Sequence, residues 1–204
     1  EIPEGWEVGR FGDAVEQLRD QENPLSFPDA LYRHFSIPAF DDGQTAKAEL
    51  GESIKSLKSR VPPGAILMSK LNPEIERVWM VDVRPDDRAV CSTEFLVLRP
   101  RPPFTRGYVY CLARSPLFRQ QIEGLVTGTS KSHQRAQVES ILNLAIVAPP
   151  SPIVGSFDRS ANGFLKRSSA CRRENLALSS LRDSLLPKLV SGELLVQDMV
   201  GAAV

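Results

Sequence analysis

Histidine, cysteine and long hydrophobic segments are scarce in this sequence. It holds two histidines, His34 and His133, and three widely spaced cysteines that form no CxxC pair. So few histidines exclude a histidine-rich metal site, and single cysteines are typical of reduced thiols in a cytoplasmic protein rather than of a disulfide framework. No apolar segment approaches the roughly 20 residues that cross a bilayer, and no signal-peptide pattern opens the chain. We therefore expect a cytoplasmic globular protein without a bound metal and without a membrane partner.

Familiar enzyme motifs are missing as well. The sequence contains no GxGxxG, GxxxxGK[ST], HExxH or GxSxG, which are the motifs of common nucleotide-binding, protease and hydrolase sites. A stand-alone nuclease remains an alternative, and its carboxylates would be Asp82, Asp86, Asp87 and Glu94. However, Phe95 follows Glu94 where a metal-dependent nuclease needs a nearby lysine, so these acids are better explained as surface charges around a turn. We predict no catalytic residue.

Charge is unevenly distributed along the chain, although the net charge is zero. Residues 1–52 contain 12 acidic and 4 basic side chains, whereas residues 53–204 contain 13 acidic and 21 basic side chains. Such asymmetry is compatible with an ordinary solvated surface, but it also favours a polyanionic partner such as nucleic acid.

Short elements of both kinds are predicted up to residue 149, which indicates an α+β fold with a mixed β-sheet and short helices. The apolar and β-branched patterns predict strands at residues 6–8, 65–69, 77–83, 93–98 and 144–148, and an extended segment at 36–40. A short helix is expected after the first strand, from the spacing of Val8, Phe11, Val15 and Leu18. Two more helices are expected at 105–113 and after Ser115, the second of them ending near Gly128.

The composition changes after the proline-rich segment 149–152, and a long helix is predicted over residues 152–186. Its apolar positions follow a weak heptad pattern, and the expected pairing residues are Phe157, Ala161, Phe164, Cys171, Asn175, Leu178 and Leu185. The helix would be about 50 Å long at about 1.5 Å per residue, and Pro187 should end it. Packing along its own domain stays possible, but sustained heptads favour a partner helix. We therefore divide the chain into a globular domain, 1–149, and a helical region, 150–204.

Two polar segments are candidates for binding DNA. In residues 127–135, TGTSKSHQR, the side chains of Lys131, His133 and Arg135 alternate and so share one side of an extended loop, while Gln134 faces the other side. Lysine and arginine suit phosphates, arginine also suits guanine, and glutamine suits adenine. The second segment, 69–72, follows a predicted buried strand. Either segment alone could be a solvated connector, but together with the basic bias they favour DNA.

Five stretches resemble the specificity subunit of type I restriction–modification systems. They are IPEGWEV at 2–8, AILMSKLNP at 65–73, STEFLVLRP at 92–100, TGTSKSHQR at 127–135 and ENLALSSLRDSLLPKLVSGELLV at 174–196. Each stretch is loose by itself, but their order and spacing are specific, and they cover nearly the whole chain.

The resemblance implies a target-recognition domain followed by a long, coiled-coil-forming α-helix. A full subunit of that family has two such units, whose helices pack antiparallel and whose domains recognise the two halves of a split site in double-stranded DNA. This chain would be half a subunit, either a fragment paired with the other half or a half-length form that makes a homodimer. The family implies no catalysis and no cofactor in this subunit. A modification (methyltransferase) subunit would use S-adenosylmethionine, and a restriction subunit would join through it.

The residues that the resemblance assigns to DNA binding lie in the two polar segments. They are Lys70, Asn72, Thr129, Ser130, Ser132, His133, Gln134 and Arg135, together with Lys131, which lies where family members vary. The alternatives from other classes are the nuclease described above and a helical assembly or adaptor protein that binds no nucleic acid.

Overall fold

The computed structural model describes residues 2–125 and 134–194. The chain divides into two compact units, Glu1–Ala161 and Asn162–Val204. The described residues of the first unit mix short strands with short helices, and a long helix runs from this unit through most of the described part of the second. The predicted α+β fold with a long C-terminal helix is therefore confirmed. The boundary of the functional domains at residue 149 remains a prediction.

The N-terminal strand β1, Glu7–Arg10, pairs antiparallel with β11, Ala145–Ala148. The predicted helix after it exists, but α1, Phe11–Ala14, has four residues only. The next residues, Val15–Leu18, form strand β2 rather than a continuation of the helix. Their backbone pairs with strand β10, Phe95–Pro100, and this long-range pairing outweighs the helical spacing of the apolar residues.

A four-stranded antiparallel sheet has the order β2-β10-β7-β8, where β7 is Ile66–Ser69 and β8 is Val78–Met80. Strands β7, β8 and β10 confirm the strands predicted at residues 65–69, 77–83 and 93–98, although β8 is shorter than expected. All four residues of β7 are buried. A turn follows β8, where the amide of Asp87 donates to the carbonyl of Arg84 at 3.1 Å and the amide of Arg84 donates to the Asp87 carboxylate at 2.9 Å.

A five-stranded mixed sheet was largely missed by the sequence patterns. Its order is β3 (Gln21–Glu22), β6 (Lys58–Arg60), β9 (Ala89–Cys91), β4 (Leu31–Phe35) and β5 (Lys47–Leu50). Strands β4 and β9 are parallel, and the other pairs are antiparallel. These strands are two to five residues long, which is too short for a period of two residues to stand out.

The extended conformation expected for residues 36–40 is wrong. Helix α2, Ile37–Asp41, occupies most of this segment. The hydroxyl of Ser36 accepts a hydrogen bond of 3.2 Å from the backbone of Ala39, which caps the helix. Pro38 lies in the first turn, where its missing N–H costs no intrahelical bond.

Trp79 lies at the centre of the main hydrophobic core. Its ring meets the edges or faces of three phenylalanines, with centroid distances of 4.9 Å to Phe35, 5.5 Å to Phe40 and 6.4 Å to Phe95. Cys91 is fully buried in the same core, and this burial raises the pKa of its thiol to about 12. Residues of both large sheets and of α2 therefore share one core.

Two capped helices follow the sheets, as predicted. Helix α3, Arg106–Arg114, is capped by Thr105, and α4, Pro116–Glu123, is capped by Ser115. The expected stop of the second helix at Gly128 is wrong, because α4 ends at Glu123 and Gly124 is its C-cap; Gly128 itself lies outside the described residues. Helix α5, Val138–Leu142, was not predicted.

The long helix α6 is Ser151–Val190. Pro187 lies inside it, so the predicted end at this residue is wrong. A proline in the last turn removes one hydrogen bond of the helix, and the carbonyl of Pro187 still accepts one from Ser191. No helix in the described part of the chain is both long and apolar enough to cross a membrane.

Candidate nucleic-acid interface

Gln134 and Arg135, the described end of the segment 127–135, lie beside the segment 69–72 at the end of strand β7. Leu71 and Arg135 form an antiparallel β-bridge. On one side of it, the amide of Asn72 donates to the carbonyl of Gln134 at 2.7 Å, and on the other the amide of Ala136 donates to the carbonyl of Lys70 at 3.0 Å. Residues 70–72 are thus held against residues 134–136 by backbone contacts.

Glu94 touches both segments. Its backbone carbonyl accepts a hydrogen bond of 3.0 Å from the amide of Lys70. Its carboxylate accepts two from the guanidinium of Arg135, at 3.0 Å from Nε and 2.8 Å from Nη2. These hydrogen bonds raise the pKa of Arg135 above its ordinary value. The sequence patterns had suggested Glu94 only as a nuclease carboxylate, whereas in the structure it is an ion-pair partner.

The backbone at Asn72 has a left-handed conformation, with φ of 47°. Asparagine adopts this region more readily than most residues. Just before it, the hydroxyl of Ser69 accepts from the amide of Leu71 at 3.1 Å and donates to its carbonyl at 3.0 Å. The side-chain oxygen Oδ1 of Asn72 is buried and has no hydrogen-bond partner. The chain therefore turns sharply at Asn72, directly after the bridge.

Arginines of the first unit hold the segment that follows Asn72. Arg119 of α4 is buried and donates to the carbonyl of Pro73, and Arg114 of α3 pairs with Glu76. Arg77 is buried and makes two bonds to Asp41, at 2.7 and 2.9 Å. Burial lowers the pKa of Arg119. Sequence reasoning missed these residues, although Arg119 lies three positions before Ile122 on the buried face of its helix, where a charge is unexpected.

The structure describes four of the nine predicted DNA-binding residues. Lys70, Asn72 and Gln134 are half-buried, and Arg135 is exposed. The remaining five, Thr129, Ser130, Lys131, Ser132 and His133, lie outside the described residues. The structure therefore brings Lys70 and Asn72 beside Gln134 and Arg135. The other five residues directly precede Gln134 in the sequence.

Among the carboxylates considered for a nuclease, Asp87 is bonded to two arginines. Asp87 bonds to the amide of Arg84 at 2.9 Å and to the guanidinium of Arg33 at 2.6 Å. The hydrogen bond from the backbone of Arg84, followed by that from Arg33, lowers the pKa of the Asp87 carboxyl. Within residues 2–125 and 134–194, no group of three histidine, cysteine, aspartate or glutamate side chains is placed to hold a metal ion.

The residues predicted to pair along the long helix differ in exposure. Phe157 contacts the ring of Tyr108 in the first unit, at a centroid distance of 5.7 Å, and nearby Asp158 accepts a hydrogen bond of 2.7 Å from Thr105. In the second unit, Phe164 is 78% exposed and Leu178 is 56% exposed. Of the others, Cys171 and Asn175 are exposed, and Ala161 and Leu185 are half-buried.

Comparison with known proteins bears on the fold. No model of a protein family matches the chain. A curated relative, the type I restriction enzyme MjaIX specificity subunit of Methanocaldococcus jannaschii, is 25% identical over 207 residues, which cover 98% of this chain and 46% of the relative. The chain is similar to one half of a type I specificity subunit.

Solved structures show the same half-length relationship. The HsdS subunit of Thermoanaerobacter tengcongensis aligns with a TM-score of 0.66 and 22% identity, over 91% of this chain and 48% of that subunit. The type I restriction–modification S subunit of M. genitalium aligns with a TM-score of 0.60 and 16% identity, over 94% and 46%. The fold is thus HsdS-like, and the chain spans about half the length of the relatives it matches. The resemblance predicted from the five stretches is confirmed.

Proposed function

We propose that the chain is a DNA-recognition unit of a type I restriction–modification enzyme and binds one half of a bipartite site. The observation that carries this proposal is the backbone pairing of Lys70, Leu71 and Asn72 with Gln134, Arg135 and Ala136. Residues 70–72 and 134–135 belong to two stretches that resemble the same family, and they are distant in sequence but adjacent in the fold. Such an arrangement of loops on a rigid sheet is typical of a recognition surface.

The side chains of the paired segments suit double-stranded DNA. The ammonium group of Lys70 can contact a phosphate, the Nδ2 group of Asn72 can donate to a base edge, and glutamine, the residue at position 134, suits adenine. The sequence adds Lys131 and His133, with the hydroxyls of Thr129, Ser130 and Ser132, immediately before Gln134. These residues would supply further phosphate contacts and donors.

We propose no catalysis and no cofactor for this chain. The relatives are specificity subunits, and one structural neighbour, with a TM-score of 0.64 over 96% of this chain, comes from a study of how the type I system is assembled. By this proposal a modification subunit would bring S-adenosylmethionine and methylate adenine, and a restriction subunit would join the complex. Since its target is cellular DNA, the proposed location is cytoplasmic.

The long helix would pair with an antiparallel helix from a second copy or from the other half of a longer subunit. The support is the exposure of Phe164 and Leu178 on the heptad positions. Phe157 already contacts Tyr108, so pairing would depend mainly on the positions from Phe164 to Leu185. In a twofold dimer the protein symmetry would be mirrored in the DNA, and the site would be an inverted, interrupted sequence.

The test of this proposal is DNA selection by the assembled complex. The chain and its modification subunit would be incubated with a pool of duplexes that carry a randomised central segment, and bound DNA would be sequenced. We expect a split site to be enriched and binding to weaken with rising salt, because phosphate contacts release counterions. Binding without any sequence preference, or no binding at all, would contradict the proposal.

A further inference from the structure

Glu94 occupies a fixed position between the two paired segments. It directly precedes β10, which pairs with β2 on one side and with β7 on the other. Its carbonyl bonds to the amide of Lys70, and its carboxylate bonds to the guanidinium of Arg135. One residue, anchored by a central strand, therefore contacts both halves of the proposed DNA-binding surface.

The ion pair engages two nitrogens of the Arg135 guanidinium at once. Nε and Nη2 both donate to the Glu94 carboxylate, in the two-bond geometry that arginine otherwise uses for guanine or phosphate. While the ion pair is intact, Nε and one hydrogen of Nη2 are engaged by Glu94, so any contact of Arg135 with DNA would be left to Nη1 and the second Nη2 hydrogen. The carboxylate is the less accessible partner, with 22% of its side chain exposed against 52% for Arg135.

We infer that Glu94 is a positioning residue for DNA recognition and that Arg135 acts through it rather than by contacting DNA. The ion pair holds Arg135 against the sheet, and Arg135 in turn keeps Gln134 beside Asn72. This inference rests on the proposed function and refines it, because the sequence resemblance had placed Arg135 among the DNA contacts.

The direction in which Glu94→Gln changes DNA binding shows whether Glu94 only repels phosphates or positions Arg135. A carboxylate near DNA repels phosphates, so by charge alone Glu94→Gln should strengthen binding or leave it unchanged. If Glu94 positions Arg135, the same variant should weaken binding by about tenfold, as expected for a coupled pair. Arg135→Gln should have the same effect, and the double variant should be no worse than either single variant.

The matched control is Glu16→Gln. Glu16 on β2 pairs with Arg99 on β10 at 3.7 Å, so it is a second Glu–Arg pair beside the same central strand. The experiment uses the complex with the modification subunit, a duplex recovered from the randomised pool, and a duplex in which its recognised bases are permuted. We expect the control to bind like the wild type and to keep the same preference between the two duplexes.

Two further readouts are needed. The first separates positioning from a general loss of structure, and the second separates it from a phosphate contact. The charge swap, Glu94→Arg with Arg135→Glu, should recover much of the binding that each single variant loses. The dependence of affinity on salt should be unchanged in Arg135→Gln, whereas loss of a phosphate contact would lower that slope by about one. If Glu94→Gln also lowers the thermal midpoint, the swap decides the question, because a swap that does not recover binding overturns the inference.

Other outcomes also have a definite meaning. Stronger binding by Glu94→Gln, or a reduced salt slope in Arg135→Gln, would show that Arg135 contacts DNA directly and that the inference is wrong. Absence of site-specific binding by the wild type and by Glu16→Gln would contradict the proposed function, and the inference with it.

Discussion

The backbone amide of Asn72 donates a hydrogen bond of 2.7 Å to the carbonyl of Gln134. This bond joins two segments that are far apart in the chain and that both carry side chains suited to DNA. It also lies next to the left-handed turn at Asn72. The geometry of the proposed recognition surface therefore depends on a backbone contact as well as on the side chains that would meet the bases.

Substitutions at Asn72 should separate its backbone role from its side-chain role. Glycine accepts a φ of 47° without strain, whereas valine in the left-handed region costs about 1–2 kcal/mol. We expect Asn72→Gly to keep the stability of the wild type and Asn72→Val to lose about that amount, as measured by urea denaturation. Both variants should bind DNA more weakly. Equal stabilities of the two variants would show that the turn does not constrain this residue.

Lys70 should contribute a phosphate contact. For Lys70→Ala we expect weaker DNA binding with both matched and permuted duplexes, and a salt dependence of affinity reduced by about one charge. A suitable control is Lys47→Ala in the edge strand β5, which lies in the other large sheet. Loss of preference between the two duplexes, at an unchanged salt slope, would instead indicate that Lys70 contacts a base.

His34 should make the stability of the fold depend on pH. Its Nδ1 lies 2.5 Å from the carboxylate of Glu49, and its Nε2 is buried without a partner. Burial lowers the pKa of His34 below its ordinary 6.5, although Glu49 opposes this and nearby Lys58 adds to it. A protonated ring would leave a buried N–H without an acceptor, which is consistent with this direction.

The direction of the shift determines the sign of the effect. Because the folded state binds the proton less well than the unfolded state, stability is greatest above pH 6.5 and falls as the pH drops through that value. Denaturant midpoints would be measured between about pH 5.5 and 7.5. As the pH is lowered, we expect the midpoint to fall less steeply in His34→Gln than in the wild type. Identical pH dependence in the two proteins would contradict the assignment.

Leu178 should govern pairing of the long helix. Light scattering of the wild type over a range of concentrations should approach twice 22.5 kDa if the partner is a second copy. Leu178→Asp, which places a charge on the heptad positions, should then remain monomeric. Ser180→Asp is the control, because its side chain lies about 200° further around the helix. A strictly monomeric wild type would exclude the second copy and favour the other half of a longer subunit.

The strongest local signals of the sequence predicted their elements correctly. Thr105 and Ser115 cap α3 and α4, and all four residues of β7, three apolar residues followed by Ser69, are buried. These elements are specified by a capping side chain or by a run of apolar residues, and both are local properties. The heptad pattern likewise predicted α6, although Pro187 did not end it.

The failures occurred where distant partners decide the local conformation. Val15 and Leu18 had helical spacing, yet they extend along β10. Ser36 and Pro38 start a short helix that an apolar pattern alone did not indicate. The strands of the five-stranded sheet are too short to be recognised without their neighbours, since a strand of two or three residues has no stable structure of its own.

The sequence by itself determined the class of fold, the long helix, the absence of common catalytic motifs and the identity of the two polar segments, because each of these depends on residue type and short-range spacing. Only the tertiary structure decided that Lys70 and Asn72 lie beside Gln134 and Arg135, and that Glu94 connects them. Antiparallel strand pairing brings these residues together across long sequence separations. No local pattern carries that information, because the register is set by the hydrogen bonds and buried side chains of the whole sheet.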